Sequence, residues 1–156
     1  MDPEVPCGVT LAFTERTGGF SEGEFSSLNL GSRCGDNLQQ VQKNRQLVLE
    51  ALGAGEHFSR LLIPHQVHGS NVVCLTSDTP EAFEQAKTEA EAGADAIVCT
   101  VQNTPVMLAF ADCVPVILVA PGGFAVAHSG WKGTIARISA RATEALCQAT
   151  GSTPSE

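Results

Sequence analysis

Two short apolar runs joined by a turn, within residues 109–133, constrain the fold of this chain more than any other feature. Residues 114–120 form an unbroken apolar run of strand length, and residues 124–127 form a second one. The sequence Pro-Gly-Gly between them is typical of a tight turn. We therefore predict a β-hairpin, and the uninterrupted apolar character of its first strand predicts burial on both faces.

The predicted hairpin brings reactive side chains together. Asp112 and Cys113 precede the first strand, and His128 follows the second. A hairpin places the start of one strand beside the end of the other, so Cys113 and His128 are expected to be spatial neighbours. Polar, reactive groups gathered at the end of an apolar hairpin are typical of an active site and not of core packing.

Strand and helix patterns on both sides of the hairpin predict a mixed α/β or α+β domain. Further strands are expected at residues 8–13, 71–76, 95–100 and 105–110. Helices are expected from Asp36 as N-cap to Gly53, from Pro80 after the cap Thr79 to Gly93, and over residues 134–151. The Gly-, Ser- and Asn-rich stretch before the first helix is predicted to be a long loop, either a plain surface loop or a binding loop.

Composition limits the class of protein. A length of 156 residues fits one domain, and 43% hydrophobic with 17% charged residues indicates a globular chain. The net charge of −8 argues against general binding to nucleic acids or anionic membranes. No apolar run approaches the roughly 20 residues of a membrane helix, and the N-terminus carries no apolar signal segment. We therefore expect a cytoplasmic protein.

Six cysteines are present, and none forms a Cys-x-x-Cys pair, which argues against a four-cysteine zinc site. Cys74 and Cys99 lie in apolar runs, so we expect reduced, buried thiols there. Cys34 and Cys147 fall outside every segment assigned to the candidate site and are predicted to be dispensable free thiols.

Cys113 leaves three interpretations open: a small buried hydrophobe, a nucleophile with a histidine base, or a metal ligand. One thiolate with two neutral imidazoles is a known catalytic zinc shell that leaves a further position for water or substrate. His68, Cys113 and His128 match that set of ligands. Asp112 is a candidate for orienting an imidazole, or alternatively a simple turn residue.

The chain resembles the laccase-domain family of the YfiH type, also called multicopper polyphenol oxidoreductases. The matching motifs include Arg-Thr-Gly-Gly-Phe-Ser, Ala-Asp-Cys-Val-Pro-Val and His-Ser-Gly-Trp-Lys-Gly. They follow the family's order over nearly the whole chain, at residues 16–21, 27–31, 35–36, 44–45, 66–69, 93–96, 111–116 and 128–133.

The resemblance implies a four-layer α/β/β/α sandwich with mixed sheets and one mononuclear site whose ligands are His68, Cys113 and His128. The family name implies copper oxidation of phenols. Members are also described as zinc-dependent enzymes that phosphorylyse inosine, adenosine and methylthioadenosine and deaminate adenosine. Related folds include toxins with a Cys-His hydrolase site, which keeps the nucleophile interpretation open.

Four histidines cannot supply the several sites of a multicopper oxidase, so we expect zinc and purine nucleosides, with copper as the alternative metal. The alternative functions are a laccase-like polyphenol oxidase and a non-catalytic metal-binding subunit. Catalytic roles are expected for Cys113, His68 and Asp112. The residues expected to bind substrate or phosphate are Arg16, Asn29, Gln66, Ser129 and Lys132.

Phosphate is the expected co-substrate, and its cradle is expected to include the amides near Gly18 and Gly19 and the N-terminus of the helix near Thr134. Compared with family members, the chain resembles roughly the first two-thirds. We therefore expect a single laccase-type domain over residues 1–156 that lacks the C-terminal part of the family. A second chain is a candidate supplier of that part.

Overall fold

A computed structural model describes residues 8–154, which fall into two compact units. One unit is Thr10–Arg60, and the other consists of the described residues from Leu61 onward together with Gly8 and Val9. The helices are α1 (Leu38–Ala51), α2 (Pro80–Gly93), α3 (Trp131–Ile135) and α4 (Ile138–Thr150). The strands are β1 (Val72–Leu75), β2 (Ala96–Cys99), β3 (Val114–Ala120) and β4 (Gly123–Ser129).

The larger unit is organised around one mixed sheet with the strand order β1-β2-β4-β3. β1 and β2 are parallel and are connected by α2, whereas β2 and β3 each pair antiparallel with β4. The predicted hairpin is confirmed, and Pro115 on β3 lies opposite His128 on β4. The predicted helix α2 is also confirmed, with Pro80 in its first turn and the Thr79 hydroxyl accepting from the Ala82 N–H.

Two apolar clusters enclose this sheet, one on each face. On one face α4 packs against small strand residues such as Ala96, Ala125 and Ala127. On the other face α2 and Leu62 pack against β1 and β2. All four residues of β2 are buried, because this inner strand has covered neighbours on both sides.

The prediction that β3 is buried on both faces is wrong. β3 is an edge strand whose residues are mostly half-buried, and Val114 at its start is 60% exposed. Its apolar run matches a central strand in composition, but composition does not encode position in the sheet order.

Two predicted strands are not formed. Residues 8–13 are not a strand, and Phe13 is 66% exposed. Residues 105–110 contribute a single parallel bridge, between Leu62 and Val106. A strand exists only through pairing with a neighbour, which a local alternation of residues does not specify.

The predicted C-terminal helix is divided in two. α3 begins earlier than expected, at Trp131, and Arg137 adopts a left-handed φ of 61° between α3 and α4. Ile135 and Ile138 therefore belong to different helices, and Ile135 is 75% exposed whereas Ile138 is buried. A left-handed residue reverses the chain direction, so the helical period does not continue across Arg137.

In the smaller unit the N-cap of α1 is Asn37 and not Asp36. The Asn37 side chain accepts from the Gln39 N–H. The Asp36 carboxylate instead accepts from the Ser21 hydroxyl at 2.6 Å and from the Asn29 amide at 2.9 Å. These two hydrogen bonds lower the pKa of Asp36, and the bond from Ser21 has the larger effect.

Buried polar side chains of α1 hold the long loop that precedes it. The Asn44 amide donates to Ser21 Oγ and to the carbonyl of Asn29. The Arg45 guanidinium donates twice to the Leu30 carbonyl, at 2.9 and 2.7 Å, and burial lowers the pKa of Arg45. These bonds pair partly buried loop carbonyl groups with side chains of α1 and so attach the loop to the helix.

The expected mixed α/β class is confirmed. Between residues 8 and 154 there is one four-stranded sheet, and the second sheet of a four-layer sandwich is not among these residues. In the same part of the chain no helix has both the length and the apolar character needed to cross a bilayer.

Candidate metal centre

Three side chains with metal-binding donors meet at one end of the sheet. One donor atom from each of His68, Cys113 and His128 lies within 4.8 Å of the other two. β4 carries His128, and the hairpin register places Cys113 just before the opposing strand, as the sequence predicts. His68 arrives on the segment that leads into β1, where its backbone has a left-handed φ of 58°.

The three donors differ in their access to solvent. His128 is 4% exposed, Cys113 is half-buried and His68 is exposed. The rings of His68 and His128 meet edge to face, with centroids 4.7 Å apart, and the Phe110 ring lies 5.7 Å from His128. The group is therefore anchored in the core on the His128 side and open to a ligand on the His68 side.

The carboxylate beside this group belongs to Asp95 and not to Asp112. Asp95 is fully buried, and its Oδ1 lies 2.8 Å from Nδ1 of His128. Asp112 is exposed, and its side chain makes no hydrogen bond within residues 8–154. The carboxylate in contact with a donor imidazole is therefore that of Asp95, whereas the sequence suggested Asp112. The sequence signal for Asp95 is its position directly before the apolar residues 96–99, because a carboxylate that becomes buried there needs hydrogen-bond partners.

The backbone at Gly130 passes directly against the donors. A Cβ atom added there would lie 3.0 Å from Cδ2 of His68 and 3.1 Å from Sγ of Cys113. These distances are shorter than ordinary contacts, so a larger residue at position 130 would require His68 and Cys113 to shift.

The donor set fits zinc. A thiolate and two imidazoles are ligands that zinc accepts at a catalytic centre, where one coordination position stays open. A buried carboxylate behind a ligand imidazole is the usual outer partner of such centres. Soft sulfur and nitrogen donors also bind copper, so the set by itself does not select one metal.

Three other predicted residues belong to the same unit. The Gln66 carboxamide donates to the Ala109 carbonyl and accepts from the Ala109 N–H, so it ties together two segments that carry donors. The Ser129 hydroxyl is buried and lies 2.9 Å from Thr134 Oγ1. Lys132 is exposed, with Nζ 5.5 Å from the centroid of the Trp131 ring.

Arg16 and Asn29 lie in the smaller unit. The Arg16 guanidinium is exposed and donates to the Ser26 carbonyl. The Asn29 amide donates hydrogen bonds to the Asp36 carboxylate, Cys34 Sγ and the Gly31 carbonyl.

The expected phosphate cradle is not formed as predicted. The amides of Gly18 and Gly19 both donate to the Ser27 hydroxyl, at 2.9 and 3.2 Å, and are therefore not free for an anion. The helix expected near Thr134 begins at Trp131 and is only five residues long. A helix this short contributes little dipole, which leaves the cationic side chains as the candidate phosphate ligands.

Among residues 8–154 the cysteines away from the centre form no disulfide, and they differ in burial. Cys99 is buried as expected, whereas Cys74 is exposed, contrary to the prediction. Cys74 occupies the edge strand β1 and alternates with buried Val73 and Leu75. The pKa of Cys74 is raised, mainly because its thiol is partly buried and to a smaller extent because of the negative charge of Glu89. Cys7 lies outside the described residues.

Comparison with known proteins adds independent findings. Residues 10–156 match the family model described as multi-copper polyphenol oxidoreductase laccase. Purine nucleoside phosphorylase of Deinococcus radiodurans is 38% identical over 88% of this chain and 50% of its own length. Purine nucleoside phosphorylase YfiH of Escherichia coli is 36% identical over 85% of this chain and 51% of its own length.

A solved structure gives the same result. YlmD from Geobacillus stearothermophilus superposes with a TM-score of 0.75 at 31% identity, covering 89% of this chain and 52% of that protein. The chain thus spans about half the length of the curated relatives it matches.

Proposed function

The chain belongs to the multi-copper polyphenol oxidoreductase laccase family, and from this membership we propose that it is a zinc-dependent purine nucleoside phosphorylase with adenosine deaminase activity. The proposed substrates are adenosine, inosine and methylthioadenosine, with phosphate as co-substrate. The observation that carries the proposal is the convergence of His68, Cys113 and His128 within 4.8 Å. The names of the relatives support the nucleoside chemistry.

The same convergence disfavours copper oxidation of phenols. A multicopper oxidase needs several metal sites, and one group of three donors is found among residues 8–154. A single group is sufficient for a mononuclear zinc enzyme.

The proposed roles follow from burial and access. His128 anchors the centre in the core, Cys113 supplies the anionic donor, and His68 completes the set beside the solvent. When bound, zinc supplies Lewis acidity and activates water for deamination. Asp112, exposed next to Cys113, is proposed to meet the substrate directly. Gln66 and Ser129 contribute by holding the surrounding segments in place.

Phosphorolysis requires a second anion to be bound. Lys132 is an exposed ammonium four residues after His128, and Arg16 is an exposed guanidinium, so both are proposed to bind phosphate. Asn29 is proposed to bind the substrate or to hold the loop that contains Arg16. We propose a cytoplasmic location, which agrees with the absence of disulfides among residues 8–154. We also propose that a second chain is a partner in forming the substrate pocket.

The experiment is a turnover assay of the zinc-loaded protein with adenosine and inosine, with and without phosphate, followed by chromatography of bases and ribose phosphate. Cys113→Ala should abolish turnover of both nucleosides, because it removes the only thiolate of the centre. Lys132→Ala should slow the phosphate-dependent reaction more than deamination, because only phosphorolysis binds a second anion.

The control is the double variant Cys34→Ser and Cys147→Ser, which should leave turnover nearly unchanged. A loss as large as that of Cys113→Ala would contradict the assignment of the thiols. Absence of product in both conditions, from a chain extended to the length of the relatives, would refute the nucleoside proposal.

A further inference from the structure

The carboxylate of Asp95 lies behind the metal centre and contacts two of its three donor residues. Its Oδ1 accepts from the backbone N–H of His68 at 2.9 Å and lies 2.8 Å from Nδ1 of His128. Its Oδ2 accepts from the backbone N–H groups of Val67 at 3.2 Å and Gly69 at 2.7 Å. Each oxygen therefore has two partners, and the carboxylate is fully satisfied although it is 0% exposed.

One consequence concerns the imidazole of His128. Backbone N–H groups only donate, so both oxygens of Asp95 act as acceptors toward them. A carboxylate carries no proton to donate, so we assign Nδ1 of His128 as the donor of the remaining bond. A proton on Nδ1 leaves the lone pair of Nε2 free for a metal.

The other consequence concerns the backbone of His68. Its φ of 58° is left-handed, a conformation that is unfavourable for residues with a side chain. The N–H groups of residues 67–69 converge on one carboxylate, and these three bonds stabilise that conformation. The turn that presents His68 therefore depends on a side chain 27 positions further along the chain.

We propose that Asp95 is the positioning residue of the metal centre, holding the turn that presents His68 and the Nδ1-protonated tautomer of His128 with a single carboxylate. The backbone of Asp95 adds to this arrangement, because its carbonyl accepts from the His128 N–H at 2.7 Å. This proposal rests on the metal centre of the proposed function and not on the identity of the substrate.

The test is Asp95→Asn in the 156-residue protein. The asparagine amide replaces one acceptor oxygen with a donor, so either Val67 and Gly69 or His68 and His128 lose their acceptor. Zinc affinity, measured by competition with a chromophoric chelator, should fall about 10- to 100-fold or more. Nitrogen-15 NMR of the metal-free protein should show Nδ1–H on His128 in the wild type and a shift toward Nε2–H in the variant.

Two control variants separate positioning from general damage. Leu75→Ala creates a cavity in the core without touching the donors, so it should lower stability while leaving zinc affinity unchanged. Glu89→Gln removes a carboxylate from the exposed surface of α2 and should change neither quantity. Equal loss of zinc affinity in Leu75→Ala and Asp95→Asn would overturn the proposal.

The remaining outcomes are also decisive. An Nε2–H tautomer in the wild type would contradict the proposal even if the variant does not fold. The proposal would also be contradicted if a folded Asp95→Asn protein kept the zinc affinity and the His128 tautomer of the wild type. If the wild type binds no zinc, the proposed function fails, and the tautomer measurement still decides the role of Asp95.

Discussion

At the scale of single residues, the candidate centre depends on side chains that are small or fully hydrogen-bonded. Gly130 leaves room for the donors, and Asp95 accepts from three backbone N–H groups and lies 2.8 Å from Nδ1 of His128. Neither residue is a candidate ligand. The chemistry of the three donors is therefore sensitive to neighbours that never contact a bound metal.

Gly130→Ala should weaken zinc binding without unfolding the protein. The added methyl group would sit 3.0 Å from His68 and 3.1 Å from Cys113, so the donors must shift by a few tenths of an ångström. We expect at least a tenfold loss of zinc affinity by chelator competition, the range found when the surroundings of metal ligands are disturbed. Gly31→Ala is the control, since its methyl group meets nothing closer than 3.4 Å. Unchanged affinity in Gly130→Ala would show that the donors tolerate the shift.

Asp36→Asn should reduce stability at neutral pH and lose its effect in acid. The pKa of Asp36 is lowered in the folded protein, so the carboxylate stabilises the fold above its usual value of 3.8. That contribution disappears as the pH falls through the lower, folded-state pKa. Urea midpoints of wild type and variant should therefore differ at pH 7, begin to converge near pH 3.8 and coincide only below the lower, folded-state pKa. Glu15→Gln, at an exposed carboxylate, is the control, and a constant difference at all pH values would contradict the prediction.

At the scale of elements, the connection between α3 and α4 determines where the helical pattern stops. Arg137 has a left-handed φ of 61°, whereas Arg141 lies inside α4 with helical backbone. Substitution of each of these two exposed arginines by glycine therefore tests two opposite backbone requirements.

Arg137→Gly should raise the free energy of unfolding by up to about 1 kcal/mol, because glycine removes the penalty of a left-handed residue. The chain entropy that glycine adds to the unfolded state acts in the opposite direction and keeps the gain small. Arg141→Gly should lower it by about 1 kcal/mol, because glycine is unfavourable within a helix. It also removes the bond from Arg141 Nε to the Ala136 carbonyl. Urea unfolding of both variants decides the matter, and a similar loss in each would contradict the backbone argument.

At the scale of the whole molecule, a bound metal should stabilise the fold around the sheet. The three donors come from the segment before β1, from the start of β3 and from the end of β4, so a metal ion would link parts of the chain that are distant in sequence. Such binding favours the folded state in proportion to the logarithm of metal concentration.

Zinc at 100 times its dissociation constant should add about 2.7 kcal/mol to stability and raise the melting temperature. EDTA should reverse the change. Cys113→Ala is the matched control, because this variant lacks one donor and its stability should not respond to zinc or EDTA. An equal response in wild type and Cys113→Ala would place the bound zinc elsewhere.

The sequence alone determined the hairpin, the start of α2 and the set of candidate donors. The apolar runs around Pro-Gly-Gly specify the β3–β4 hairpin, and Thr79-Pro80 specifies the start of α2, because turn and cap chemistry act over a few residues. The hairpin then implies that Cys113 and His128 are neighbours, which the structure confirms. His68 was added by its donor type, with no local motif to join it to the others.

The tertiary structure alone decided what depends on pairing and burial. It left residues 8–13 without a strand partner, placed β3 at the sheet edge and divided the last helix at Arg137. It also gave the carboxylate beside His128 to Asp95, 33 positions away, and not to Asp112 beside Cys113. Sequence patterns report interactions within a turn or a strand, whereas sheet order and buried hydrogen bonds are set by residues that meet only after the chain has folded.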